Sequence, residues 1–341
     1  MKIRVNINSE SNPLHIPKPS WLTSALPNPL IRGGSSNRQD DLIIDKNGAI
    51  GKVKEKSRQN NRLDAILEEL NDMIGLQRVK DLIYEIRAYV DVRNLREKET
   101  LVNDPMALHM IYKGNPGTGK TTVARIVGKL FKELNILPKG HLVEVERADL
   151  VGEYIGHTAI KAREQVKKAL GGVLFIDEAY SLARGGEKDF GKEAVDSLIK
   201  AMEDHRDNLI LILSGYKDEM DYFLRSNPGI RSRFPIQLEF PDYTTAELLA
   251  IAEVMISSRQ YILSSEAKLA LRNFLLDQEK VGHQHRGNAR MVRNIVEKAI
   301  RRQAVRIINV HEKQKISRDA LMILEAQDVM EGCQQVVDVR A

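Results

Sequence analysis

The segment Gly114-Asn115-Pro116-Gly117-Thr118-Gly119-Lys120-Thr121 limits what this chain can fold into more than any other feature. Glycine, four residues, then Gly-Lys-Thr is the pattern of a phosphate-binding loop, which requires a strand before it and a helix after it. The sequence supplies both. Ala107 to Tyr112 is a short, largely apolar run, and Val123, Ile126, Val127, Leu130, Phe131 and Leu134 fall on one helical face. Glycines let backbone N–H groups curl around phosphate oxygens, the helix start adds its positive dipole end, and Lys120 brings a mobile charge to the β and γ phosphates. Thr121 offers a hydroxyl to Mg²⁺, and Thr122 follows it on the first helical turn. The expected ligands are ATP and Mg²⁺.

Further apolar runs at Leu142 to Val145, Val173 to Ile176, Leu209 to Leu213 and Ile236 to Phe240 alternate with helical segments. That alternation predicts a five-stranded parallel sheet covered on both faces. Ahead of it, Leu63, Ile66, Leu67 and Leu70, then Val79, Ile83, Ile86 and Val90, predict two helices. After Pro241 helical patterns take over, at Thr245 to Arg259, Ser265 to Leu276 and Gly287 to Ile308, with a short strand and a last helix expected between Ile316 and Met330. The expected organisation is an arm over residues 1–60, an α/β domain over 61–241 and a small helical lid over 242–341.

Val173-Leu174-Phe175-Ile176-Asp177-Glu178 reads as a buried strand delivering two carboxylates at its carboxyl end, where ligands of open α/β sheets bind. Asp177 is placed to hold Mg²⁺ through its water shell, and Glu178 to polarise an attacking water. Many phosphate-loop proteins share these two motifs, so other features must say what work is done. Ser232-Arg233-Phe234 lies just before the last strand, where an arginine would face the next subunit of a ring and act on its γ phosphate; Arg231 competes for that role. Gly287-Asn288-Ala289-Arg290 opens a long lid helix and would lean Arg290 over the nucleotide. Gly152-Glu153-Tyr154-Ile155-Gly156 sets an aromatic between glycines on a turn. Exposure and mobility suit Tyr154, with Ile155 and Gly156, to grip an extended chain in a pore. The loop Arg184-Gly185-Gly186-Glu187-Lys188 is a second candidate for the same channel.

Charge separates the arm from the body. Residues 1–62 carry 11 Lys/Arg against 5 Asp/Glu, and the rest of the chain is close to neutral. The arm is dense in Pro, Asn, Ser and Gly and is expected to be largely disordered, with Trp21 as a possible docking element. A near-neutral body with 5% aromatic residues argues against nucleic acid as the partner, although a nucleic-acid motor of the same class is the alternative reading. No run approaches the roughly 18 apolar residues of a spanning helix, and Met1 to Ser9 lacks the apolar core of a secretory signal, so a cytoplasmic address is expected. Cys333 is the single cysteine, which implies neither a disulfide nor a zinc site.

Gly114 to Thr122, Ala148 to Thr158 with its Tyr-Ile-Gly, and Leu174-Phe175-Ile176-Asp177-Glu178-Ala179-Tyr180 together resemble the stage V sporulation protein K family of AAA+ ATPases. The red-type Rubisco activases are sister proteins that share the Tyr-Ile-Gly and Asp-Glu-Ala-Tyr segments. The resemblance runs from about Asn71 to the end of the lid. It implies an AAA+ hexamer, a role in bacterial sporulation, and an adenine site near Ile74, Gly75 and Leu76; hydrolysis is then expected to rock the lid against the core and move Tyr154 along the pore, remodelling a protein client. Many AAA+ proteins place a polar sensor, usually Asn, at the end of the fourth strand. This chain reads Leu213-Ser214-Gly215-Tyr216 there, leaving Ser214 and Tyr216 as candidates.

Overall fold

The structure, a computed structural model, describes residues 50–102, 107–154, 156–184, 189–281, 287–311 and 317–338. Residues 1–49, which include Trp21, lie outside the described residues, as do Ile155 and residues 185–188 of the second loop. Order begins earlier than the apolar pattern indicates. Helix α1 spans Ile50–Asn71. Over residues 50–62 the sequence has only two large apolar residues, Ile50 and Val53, so periodicity does not reveal those first turns.

Helix α2 (Gln77–Lys98) buries Val79, Ile83, Ile86 and Val90, the face its spacing predicts. The chain then enters the sheet: β1 (Met110–Gly114), β2 (Leu142–Val145), β3 (Val173–Ile176), β4 (Ile210–Gly215) and β5 (Ile236–Phe240). All pairs are parallel and the order is β2-β3-β4-β1-β5. This matches the expected five strands. Alternation along β1 divides the core: Met110 and Tyr112 join α1, α2 and the lid on one face, while Ile111 joins Leu174, Ile176 and Leu213 on the other. Period-two side-chain direction is what lets one strand feed both layers.

β1 starts and ends later than its apolar run, because it sits between β4 and β5 and its ladder continues through Lys113 and Gly114. Lys113 looks like the end of a buried strand, yet it is only 8% exposed. Its ammonium donates to Asp221 at 2.6 Å and Gln237 at 2.9 Å, which satisfies the charge where it is buried.

The lid contains α9 (Thr245–Ser257), α10 (Ser265–Val281), α11 (Asn288–His311), α12 (Arg318–Met322) and α13 (Ala326–Asp338). Thr244 and Glu247 form a capping box at the start of α9. Met291, Val292, Ile295 and Val296 of α11 pack with Val329 and Cys333 of α13 in the same core as the sheet. A two-residue parallel pair, β6 (Ile262–Leu263) with β7 (Ile323–Leu324), staples the lid together. β7 falls within the segment expected to hold a strand; β6, with no apolar alternation to announce it, was invisible in the pattern. Among the described residues no helix is long and apolar enough to cross a membrane.

Candidate functional site

The phosphate-binding loop links β1 to helix α3 (Lys120–Glu133). Gly119 stands before that helix in the left-handed region, with φ of 96°. Gly117 is also left-handed, with φ of 73°, and a Cβ there would meet the Gly287 carbonyl oxygen at 2.5 Å and the Arg290 nitrogen at 2.7 Å. Glycine is required here because the start of the lid helix α11 lies directly against the loop. Thr118 is fully buried and its hydroxyl donates to the Asn115 carbonyl at 2.8 Å. Lys120 folds back along the loop, its ammonium donating to the carbonyls of Gly114 at 2.7 Å and Asn115 at 2.8 Å. Burial pushes this ammonium down to about 8, with Asp177 pulling the other way.

A cavity of about 350 Å³ opens over the loop, within the size range of small-ligand sites. Of the residues named from sequence, Pro116, Gly117, Gly119, Lys120, Thr121 and Thr122 line it from the loop and α3. Asp177 and Glu178 line it from the end of β3, Tyr216 from beyond β4, and Arg290 from the lid. Segments separated by well over a hundred residues therefore meet around one space, as expected at the carboxyl edge of a parallel sheet.

Asp177 has one oxygen fixed: Oδ1 accepts from the Ser214 hydroxyl at 2.9 Å and from the Glu178 N–H at 3.1 Å. Ser214 is fully buried behind that carboxylate and does not line the cavity. Glu178 adopts a left-handed φ of 47°, which turns the chain sharply out of β3 into a 3-10 helix (Ala179–Ala183). Its carboxylate faces Tyr180 and Tyr216, whose rings lie 5.8 Å apart. Burial, then the Glu178 charge, raises the pKa of both phenols. The Arg184 guanidinium covers the Tyr180 ring at 4.6 Å.

Thr121 and Asp177 bring a hydroxyl and a carboxylate to one cavity, a hard-oxygen donor set suited to Mg²⁺. Among the described residues no group of three or more His, Cys, Asp and Glu could hold a metal by itself.

Other named residues lie elsewhere. Ile74 and Gly75 are absent from the cavity wall; a Cβ on Gly75 would meet Glu247 at 2.5 Å and Tyr243 at 3.4 Å, which places the segment against the hinge to the lid. Arg233 ends the short helix α8 (Pro228–Arg233), which follows α6 (Gly191–Asp204) and α7 (Lys217–Ser226); its Nε and Nη2 donate to Glu203 Oε1 at 3.0 and 2.6 Å and Nη1 to the Gly229 carbonyl at 3.0 Å. It does not reach the cavity of its own chain. Arg231 is exposed on the same helix.

Tyr154 also stands apart, and it is 67% exposed. The base of its loop is pinned. α4 (Arg147–Leu150) leads into it and α5 (His157–Ala169) leads out. Between them the Gly152 N–H donates to the buried Thr158 hydroxyl at 3.0 Å, and the His157 N–H donates to the Tyr154 carbonyl at 3.1 Å. Lys161 of α5 donates to the carbonyls of Ala148 and Val151, each at 3.0 Å. Arg147 donates to Asp189 and to the Ser181 carbonyl, tying α4 to the segment that follows Glu178. The Tyr154 ring meets the His157 ring edge-on, with centroids 5.4 Å apart.

Sequence reasoning missed several residues. Arg125 and Arg293 line the cavity without belonging to any motif. Asp242, Tyr243 and Asn288 tie the loop to the lid: Asp242 accepts from Asn115 Nδ2, 3.0 Å from each oxygen, and from Asn288 Nδ2 at 2.8 Å. The Tyr243 hydroxyl donates to the Thr118 carbonyl at 3.2 Å. For Asp242 and Tyr243 the one available signal is position, just beyond the carboxyl end of β5, whereas Asn288 stands in the Gly287-Asn288-Ala289-Arg290 segment, in which Arg290 alone has a role readable from sequence.

Comparison with known proteins agrees with this geometry. Residues 110–242 match the family described as ATPase family associated with various cellular activities (AAA), and residues 244–338 match the AAA lid domain. The chain is 53% identical over 268 residues to stage V sporulation protein K of Bacillus subtilis (strain 168), covering 78% of this chain and 82% of that protein. It is 44% identical over 276 residues to a chloroplastic ribulose bisphosphate carboxylase/oxygenase activase of Cyanidioschyzon merolae (strain NIES-3377 / 10D), covering 80% and 93%. Protein CbbX of Cereibacter sphaeroides is 46% identical over 266 residues, covering 77% and 85%. In fold the chain is similar to the crystal structure of the FIGL-1 AAA domain in complex with ADP, with a TM-score of 0.53, 18% identity, and coverage of 78% of this chain and 83% of that one. Loop, carboxylate pair, sheet order and lid thus converge with the comparisons, and the chain belongs to the stage V sporulation protein K family of AAA+ ATPases and is an ATP hydrolase.

Proposed function

We propose that this ATPase assembles as a hexameric ring, completes each site with an arginine from the adjacent subunit, and uses hydrolysis to pull on a protein client through the ring pore. Within a site, Lys120 leaves the Gly114 and Asn115 carbonyls to meet the β and γ phosphates. The loop N–H groups cradle those phosphates, and Thr122 and Arg290 add contacts from opposite sides. Glu178 orients the attacking water, while Ser214 holds Asp177 in place and Tyr216 stands beside both carboxylates. Bound Mg²⁺ supplies neutralisation of phosphate charge, with Thr121 and Asp177 as its protein donors. Arg233, which reaches no phosphate in its own chain, acts on the γ phosphate next door. The adenine lies toward Ile74 and Gly75.

The observation that carries the pulling step is Tyr154: a large, exposed aromatic on a loop whose base is hydrogen-bonded and whose root, through Arg147, is joined to the segment after Glu178. A side chain built into the core would be covered, and a merely flexible loop would lack those ties. Sporulation is the proposed setting, on the strength of the Bacillus subtilis relative's name.

A photocrosslinkable residue at position 154, in a Glu178→Gln background that retains ATP, tests this reading. It should capture a polypeptide with ATP present and not without it. Capture of nucleic acid, or capture indifferent to ATP, would overturn it.

A further inference from the structure

The bonds that join the phosphate-binding loop to the lid form a continuous path that no motif assigns. It starts at Lys120, whose ammonium donates to the Asn115 carbonyl at 2.8 Å. The Asn115 side-chain amide donates to both oxygens of Asp242 at 3.0 Å. Asp242 Oδ1 accepts from Asn288 Nδ2 at 2.8 Å. Asn288 opens α11, only 1% exposed and in the left-handed region with φ of 43°, and its Oδ1 accepts from the Tyr243 N–H at 3.0 Å. One residue on, the Ala289 N–H donates to the Gly117 carbonyl at 3.1 Å, and the next residue is Arg290 at the cavity wall.

We propose that Asp242 is a positioning residue that couples phosphate binding at the loop to the placement of the lid helix α11, acting through Asn115 on one side and Asn288 on the other. Three properties support it. Asp242 lies at the junction of the two matched domains, immediately after β5 and before the α9 capping box. Its carboxylate takes donors from the loop and from the lid at once, so displacing either moves the other's partner. The remaining polar groups of Asn288 are also used, by Tyr243 N–H and the Pro116 carbonyl at 3.3 Å, which leaves that residue little freedom to rearrange alone. When Lys120 exchanges the Asn115 carbonyl for phosphate, the loop end of this path changes its bonding while the Asp242 links stay available to carry the shift. Coupling of this kind is worth on the order of 5- to 150-fold in an equilibrium constant.

The chemistry of the path dictates the variants. Asp242→Asn keeps size and shape but turns one acceptor oxygen into a donor, so an amide faces an amide from Asn115 or Asn288. The exchange Asp242→Asn with Asn288→Asp returns an acceptor to each donor: Asn115 donates to position 242, position 242 donates to position 288, and the Tyr243 N–H exchanges the Asn288 amide oxygen for a carboxylate oxygen. The contact to the Pro116 carbonyl is lost, and Asn115 keeps one acceptor oxygen at position 242 in place of two.

Three readouts test the inference: nucleotide affinity, kcat, and hydrogen exchange of Asn288 to Met291 with and without a slowly hydrolysed ATP analogue. Asp242→Asn should lower kcat more than it weakens nucleotide affinity and erase the analogue's effect on exchange at the α11 start. The double exchange should restore both kcat and the exchange response. Failure of that rescue in a protein that melts as the wild type does, or equal loss of affinity and kcat in Asp242→Asn, would overturn the inference. Its functional consequence rests on the reading of Arg290 as a nucleotide contact, and the two separate cleanly. If Arg290→Ala leaves kcat intact while exchange still depends on Asp242, the coupling stands and the role of Arg290 falls.

Discussion

Burial lowers the Lys120 ammonium to about 8, against the pull of Asp177, because the loop that must cradle phosphate also keeps water away from the amine. The unfolded chain holds this proton up to its ordinary value of 10.5, so between about 8 and 10.5 the unfolded state binds the extra proton. This group's contribution to stability therefore rises with pH across that window and is lowest below it. Affinity for ATP runs the other way. It should weaken as pH rises through about 8, approaching roughly one decade per pH unit, and calorimetric titration in Lys120→Arg should lose that dependence. Lys120→Ala should lose binding, whereas Glu178→Gln should keep binding and lose turnover; equal loss of binding in both would mean that Glu178 has been given the wrong role. These residues were legible because their chemistry demands a local spacing, Gly-x4-Gly-Lys-Thr or two carboxylates after four apolar residues. Asp242 and Asn288 were not. Each is an ordinary polar residue in sequence, and only folding brings the two to within 2.8 Å of each other across 46 positions.

Elements were legible where apolar residues recur at helical or strand spacing. The helices α2 and α3 and strands β2, β3 and β5 fall where apolar periodicity puts them, because each shows a face or a run to the core. Misreadings have physical causes: the first turns of α1 carry few apolar residues, β1 runs on through a buried lysine whose charge is matched by Asp221, and β6 is two residues long. The loop carrying Tyr154 was visible as an aromatic between glycines, but the hydrogen bonds that fix its base were not. They lead to a prediction at this scale. Thr158→Val removes the acceptor of the Gly152 N–H while keeping the shape of the fully buried side chain, so it should cost about 1–3 kcal/mol in thermal or denaturant unfolding. Tyr154→Ala, on an exposed ring, should leave the melting temperature and ATP affinity unchanged. Unfolding of Tyr154→Ala would mean that the ring is structural and would remove the main support for threading.

At the scale of the whole molecule, sheet order, lid and cavity follow from the chain itself, while the proposed ring completes what one chain leaves open. Arg233 is paired with Glu203 and is not part of the wall of its own cavity, and Arg231 is exposed two residues earlier. A single chain thus shows loop, carboxylates and lid arginine around one space but no arginine from α8. The central claim is that the missing arginine comes from a neighbour, and mixing two inactive variants measures it most directly. Lys120→Ala subunits cannot hold ATP but still present Arg233; Arg233→Ala subunits bind ATP but lack the finger, with turnover expected to fall on the order of 10³-fold. Co-assembled, they juxtapose an intact loop with an intact arginine at some interfaces, so phosphate release should recover to a level set by the mixing ratio. Arg231→Ala in the same assay shows which of the two arginines acts. No recovery at any ratio, in rings shown to contain both subunits, would contradict the account.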